Sequence, residues 1–280
     1  MCFTIEVHLS RKAIEKRFSV DTSALYDFDF NYFYRAFSNP LIPVISGDAS
    51  QTTQLMHWGL IPSWTKDFQK AREIRKGTYN ARAETLHEKP SFREPLLKGR
   101  CLVLAHGFFE WQHVRGAKIP WYIRLKSEAP FAFAGLYDSW RDPEKGEVLH
   151  SCSIITTQAN PLMERIHNTK KRMPVILSPD KEQEWISGDI SLHKARQLLL
   201  PLDEREMHAH IISPNFSRTG ADPGDSSTIK PFDYQDTGSL FWMVINYLLI
   251  TYVHLLCNSS AQNIWREPLL SVLLVEPSER

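Results

Sequence analysis

The chain begins MCFTIEVH, and removal of the initiator methionine would make Cys2 its first residue. Methionine is usually cleaved when the next residue is small, and cysteine qualifies. An N-terminal cysteine offers an amine and a thiol on neighbouring carbons, a pair that no internal cysteine has. Its α-amine titrates near pH ~8, so a useful fraction is neutral and nucleophilic near neutral pH. Such an amine attacks an aldehyde to give an imine. The thiol can then close onto the imine carbon as a five-membered thiazolidine. The competing reading of Cys2 is a small, buried core residue.

Three other segments hold residues of chemical interest. In NARAET, Asn80, Arg82 and Glu84 alternate, which on an extended segment puts them on one side. Arg82 suits bidentate phosphate contact, and Asn80 both donates and accepts. In HGFFEW, Glu110 sits among aromatic residues, where a carboxyl with a raised pKa can act as general acid or base. In RIHNTKKRMP, His167 ends a short helix ahead of Lys170, Lys171 and Arg172. Histidine is the side chain suited to moving protons near neutral pH. The stretch SWTKDFQKAREIRKGTYNAR interleaves six cations with Trp64, Phe68 and Tyr79, a pattern found in grooves for single-stranded nucleic acid. Each segment has a plainer reading: a polar strand edge, an exposed strand end, a solvated helix end, a charged surface. His106, Glu110 and His113 lack a metal-binding spacing, so no metal is expected.

The elements that would position these residues are mostly strands. The spans 3–9, 52–64, 101–111, 119–125, 131–137, 150–157 and 173–177 read as strands, with a break at Gly107. Helices are expected at 11–18 after Ser10, at 161–167 after Asn160, at 178–186 and at 191–200. Residues 66–76 read as a charged loop. With no phosphate-binding glycine loop and no repeat, the expectation is an α+β fold with a mixed, barrel-like curved sheet and flanking short helices.

At 280 residues, 42% hydrophobic and 23% charged, the chain can bury a sizeable core. A net charge of +1 leaves any nucleic-acid site to a local patch. Four scattered cysteines and no signal-like start point to a reducing, cytoplasmic setting. From Thr237 to Trp265 there is no Asp, Glu, Lys or Arg, and 240–257 has the length of a membrane span interrupted by Asn246, Thr251 and His254. Membrane association through 240–257 is not favoured; 237–280 is read as an apolar tail outside a functional domain spanning 1–236.

In this order, Met-Cys, HWGLIPSW, NARAET, RCLVLAHGFFEW, AGLYDSW, ITTQAN and IHNTKKRMPVIL resemble the SRAP family (SOS-response-associated peptidase), the abasic-site processing proteins. The match runs from residue 1 to about 234. The resemblance implies capture of abasic sites in single-stranded DNA, with Cys2 bonded to the ring-opened sugar aldehyde as a thiazolidine. It implies that Asn80 orients the cysteine amine and the sugar. Glu110 would serve in proton transfer and in release of the initiator methionine, and His167 would assist ring opening. Arg82, Lys171 and Arg172 would meet phosphates, while Trp64 and Trp111 would line the DNA surface. Strand cleavage by a lyase side reaction is also implied, and no small-molecule cofactor. When bound to DNA the protein would be nucleoid-associated. The chain departs from the family at MCFT, where MCGR is common, and in HNTKKRMP, longer than the commoner HxRMP. Two rivals stand beside this expectation: a peptidase with Cys2 as N-terminal nucleophile, and a non-catalytic single-strand binder.

Overall fold

Apolar residues on both faces of the central strands dictate a sheet covered on both sides. In RCLVLA (100–105), Leu102 and Leu104 join one core while Cys101, Val103 and Ala105 join another. The computed structural model describes residues 2–187 and 190–234. The tail expected at 237–280, with its apolar stretch 240–257, lies outside the described residues.

The strands, in chain order, are β1 (Thr4–Glu6), β2 (Tyr34–Arg35), β3 (Leu41–Ser46), β4 (Gln54–Trp58), β5 (Asn80–Arg82), β6 (Arg100–Ala105) and β7 (Gly107–Val114). They continue with β8 (Ala117–Leu125), β9 (Phe131–Arg141), β10 (Val148–Gln158), β11 (Arg172–Pro174), β12 (Ile176–Leu177) and β13 (Met207–Ile211). The helices are α1 (Arg11–Phe18), α2 (Phe68–Arg75), α3 (Pro90–Lys98), α4 (Pro161–Ile166), α5 (Pro179–Ile186) and α6 (Leu192–Leu198).

Strands β10, β4, β3, β6 and β9 follow one another by pairing, and β9 pairs back to β10, closing a five-strand ring. The β4–β10 pairing is parallel and the others are antiparallel, so the barrel is mixed. Closure leaves no ring edge open to another chain. A second sheet runs β13–β8–β7–β1–β2. The expected α+β fold with a barrel-like sheet and short helices is the one observed. One set of ring side chains, Leu102, Leu104, Ala132 and Ala134, packs with Ile14 of α1, Leu96 of α3 and Trp185 of α5. The alternate set, Val103, Phe133, Cys152 and Ile154, packs with Cys2, Ile5 and Trp58.

Strand β10 is the hub. Along one edge it meets β4 at Ser151–Cys152 and then β5 at Ile154–Thr156. Along the other it meets β9 up to Ile154 and then β11 from Thr156 to Gln158. Asn80 and Arg82 on β5 and Arg172 on β11, distant in sequence, are thereby set on either side of β10.

Several features differ from the sequence expectation: the strand read at 52–64 ends at Trp58, and 173–177 divides into β11, paired with β10, and β12, paired with β9. Residues 66–76 hold helix α2, started by Asp67, whose side chain accepts from Lys70 N at 2.7 Å. Ala71 is its fully buried residue, so little apolar periodicity marks it in the sequence. The break in 101–111 falls at His106, ahead of Gly107, where a Cβ would lie 2.3 Å from the Tyr122 ring. That close approach lets the Tyr122 hydroxyl donate to the buried Glu6 carboxylate.

Candidate active site

Cys2 is fully buried beside the start of β1. Strand β1 lies between β2 and β7, which brings the first residues of the chain alongside the Glu110 end of β7. Asn80, at the first position of β5, donates through Nδ2 to the Cys2 carbonyl at 2.8 Å. Its Oδ1 is buried and accepts no hydrogen bond among the described residues. The amide therefore grips the Cys2 backbone with one atom and leaves an acceptor for the adjacent amine. The Cys2 thiol donates to Thr4 O at 3.7 Å. Burial, reinforced by the Glu110 carboxylate, pushes this thiol well above the usual range, so it rests protonated.

Glu110 and His167 face one another, Oε2 to Nε2, at 4.0 Å. Both are buried. Burial pushes the Glu110 carboxyl up to about 7 and pushes His167 down to about 4. Near neutral pH the imidazole is neutral while the carboxyl exchanges its proton. His167 Nδ1 donates to Arg172 O at 2.7 Å, so the neutral ring carries its proton there and turns an unprotonated Nε2 toward Glu110. The pair can hold and move one proton at a buried site.

The helix carrying His167 is short and depends on its caps and ties. Asn160 Oδ1 accepts from Met163 N at 2.8 Å at its start. At its end, Gln112 Nε2 donates to Arg165 O at 3.0 Å, and the Asn168 amide exchanges two hydrogen bonds with the His113 backbone at 3.0 and 2.8 Å. These ties lock α4 and its following loop to β7, the strand bearing Glu110. The long HNTKKRMP loop is absorbed in a turn closed by Lys171 N on His167 O at 2.8 Å. Lys171 takes a left-handed φ of 49° there, returning Arg172 to within reach of the imidazole.

Thus Cys2, Asn80, Glu110 and His167 come together. The five residues expected at a DNA surface are placed differently. Trp64, 49% exposed, has no hydrogen bond or ring contact to the four among the described residues. Arg82 and Lys171 are exposed. Trp111, next to Glu110, stacks on Phe216 with ring centres 5.8 Å apart. The Arg172 guanidinium forks onto Glu84 at 3.0 and 2.9 Å and donates to Thr156 O at 2.6 Å. Glu84 lies beyond β5 in a tight turn and serves as this counter-ion. Replacing Arg172 with Lys removes the fork and is expected to destabilise the fold by about 2 kcal/mol. A denaturant midpoint lowered with unchanged slope checks it.

Sequence reasoning missed the Gln112 and Asn168 ties and a ring stack between Phe3 and Phe37, 5.0 Å between centres. The only sequence signal for the last was Phe3 itself, in the MCFT start. Among the described residues no group of three or more His, Cys, Asp or Glu could hold a metal ion, and no helix is long and apolar enough to cross a membrane.

The abasic site processing protein YoqW of Bacillus subtilis (strain 168) is 44% identical over 178 residues, 63% of this chain and 76% of YoqW. The abasic site processing protein HMCES of Xenopus tropicalis is 36% identical over 183 residues, 58% of this chain and 53% of HMCES. A crystal structure of a protein from Bacteroides thetaiotaomicron superposes with a TM-score of 0.79 at 38% identity, covering 83% of this chain and 100% of that one. The family model for SOS response associated peptidase (SRAP) matches residues 1–219, a span holding Cys2, Asn80, Glu110 and His167, and the chain belongs to that family.

Proposed function

We propose that this protein processes abasic sites in single-stranded DNA by bonding covalently to them through Cys2, once Met1 has been removed. The observation that carries this reading is the convergence of Asn80 and the Glu110–His167 pair on the second residue of the chain. An abasic sugar is a cyclic hemiacetal, and ring opening moves the proton of its C1′ hydroxyl to the ring oxygen. The unprotonated His167 Nε2 can take that proton and a protonated Glu110 can supply the other. The freed Cys2 amine then adds to the aldehyde, and loss of one water, assisted by Glu110, gives the imine. The thiol adds to the imine carbon: a C–S bond forms, and the S–H proton ends on nitrogen. No redox partner is required.

The order of events follows from the thiol's environment. A thiol held protonated by burial is a poor opening nucleophile, whereas the amine is competent near neutral pH. This favours amine-first capture over a peptidase that begins with a Cys2 thiolate. Arg82 and Lys171 are assigned to phosphates, and Trp64 and Trp111 to bases. Arg172, engaged with Glu84, is assigned to the phosphate edge through that ion pair and to holding the His167 turn.

The test is a denaturing gel. Single-stranded DNA with one abasic site is incubated with wild type and with Cys2→Ala, alongside intact mass of both. Wild type lacking Met1 is expected to give a heat-stable shifted band that Cys2→Ala does not. Equal binding with no covalent band, or Met1 retained on active protein, overturns covalent capture. Peptide cleavage without a DNA adduct would assign the peptidase reading instead.

A further inference from the structure

Most exposed apolar side chains need no explanation, but one next to the site is arranged as part of a surface. Phe37 is 66% exposed. Its ring stacks on Phe3 at 5.0 Å with planes 28° apart. Tyr79 braces both rings edge-on, at 5.5 Å to Phe37 and 6.4 Å to Phe3. Tyr79 is itself fixed: its hydroxyl donates to Asn39 Oδ1 at 3.2 Å and its carbonyl accepts from Trp58 Nε1 at 2.9 Å. The turn carrying Phe37 is tied to the chain start, since Ala36 N donates to Phe3 O at 2.9 Å. The stack is therefore rigid, and Phe3 is covalently attached to Cys2.

Phe3 also lines a cleft of about 530 Å³ shared with Asn80, Arg82, Lys76 and Lys89. The lining thus includes an aromatic ring, the asparagine that binds Cys2 and three cations. Flat apolar rings beside positive charge match the two halves of a nucleotide, base and phosphate. An abasic nucleotide leaves its neighbour without a stacking partner on one side, so that neighbour has a bare face to offer.

We propose that Phe3 and Phe37 form a stacking shelf for the nucleobase adjacent to the abasic site. This rests on abasic-site capture as the function and adds to it: capture becomes sensitive to the identity of the neighbouring base. Purines, with the larger ring face, are preferred at that position. The shelf is a binding feature of this chain's MCFT start and its Phe37 turn; it takes no part in the bond-forming steps.

The experiment uses fluorescence anisotropy with single-stranded oligonucleotides containing a tetrahydrofuran site, an abasic analogue that cannot form an aldehyde. One has adenines on both sides; another has further tetrahydrofuran residues on both sides. Wild type is expected to bind the adenine-flanked strand about tenfold tighter, at the lower end of what one base–aromatic stack contributes. Phe37→Ala is expected to bring that ratio close to one, and Phe37→Trp to keep it. A ratio unchanged by Phe37→Ala overturns the shelf. So does sedimentation showing that Phe37 instead holds two copies of the chain together. Wild type is run in parallel on an aldehyde-bearing strand. A Cys2-dependent crosslink with an unchanged ratio removes the shelf alone, whereas absence of the crosslink removes the functional reading as well.

Discussion

Glu110→Gln is expected to slow crosslinking by roughly a hundredfold or more while making the protein more stable above neutral pH. Glutamine keeps the size and polarity of the side chain but cannot deliver an acidic proton. Dehydration of the carbinolamine, where hydroxide must leave as water, is the step most exposed to that loss. In wild type the rate needs protonated Glu110, titrating at about 7, together with a neutral N-terminal amine, titrating near ~8. The two requirements oppose one another and give a bell-shaped profile centred between these values. In Glu110→Gln the alkaline limb should disappear, leaving a rate that rises with the amine and then levels.

Stability moves the other way, and its sign is fixed by the shift. Burial raises the Glu110 carboxyl from 4.5 to about 7, so the folded protein favours the neutral acid. Below 4.5 the carboxyl is neutral whether folded or unfolded, and the substitution costs little. Between 4.5 and about 7 the unfolded chain ionises while the folded one does not, and the wild type loses up to ~1.4 kcal/mol of stability per pH unit. Above that window the penalty is constant. Glutamine escapes it, so the difference in unfolding free energy should open across the window and then level. A variant that is slower, firmer and short of its alkaline limb separates a role in proton transfer from a role in packing. Loss of activity with the bell retained would sink the assignment.

The same residues show how far the sequence could be read. Ser10, Asn160 and Pro161 announce their helices through local chemistry, and the caps form where those residues stand. Glu110 announces itself by lying in an apolar run, but an exposed strand end fits the same residues, and its burial comes from β7 lying between β1 and β8. The meeting of Asn80 with Cys2 has no local signature. It depends on β5 lying parallel to β10, a pairing between segments more than seventy residues apart. In FTIEVHL the alternation suggests an outward Glu6. Yet β1 lies between β7 and β2, and Thr4, Ile5 and Glu6 are all buried. Glu6 is tolerated because Tyr122 of β8 donates to it and His106, in the break between β6 and β7, lies 3.4 Å away. A strand with both faces covered does not obey the one-sided pattern from which facing is inferred. The Phe3–Phe37 stack is likewise invisible locally, since it arises only when β2 pairs beside β1.

Cys2→Ser is expected to redirect the chemistry instead of stopping it. Serine is small enough for methionine removal and keeps the amine, the carbonyl gripped by Asn80 and the proton-transfer pair. Imine formation therefore proceeds. The step that fails is closure, because a hydroxyl is a weaker nucleophile than a thiol and an oxazolidine reopens readily. In wild type, closure withdraws the imine before the acidified C2′ proton can be removed. With serine the imine persists, and loss of that proton expels the 3′ phosphate. The heat-stable band should fall to background, while borohydride, which reduces the imine to an amine, should still trap an adduct. Strand cleavage should rise above that of wild type on the same gel. This pattern would show that the thiol protects the strand and that the amine reacts first. A variant with neither a borohydride-trapped adduct nor cleavage would mean that the amine does not act independently of the thiol. The buried, protonated state of the Cys2 thiol would then have to be relieved by DNA binding before any bond could form.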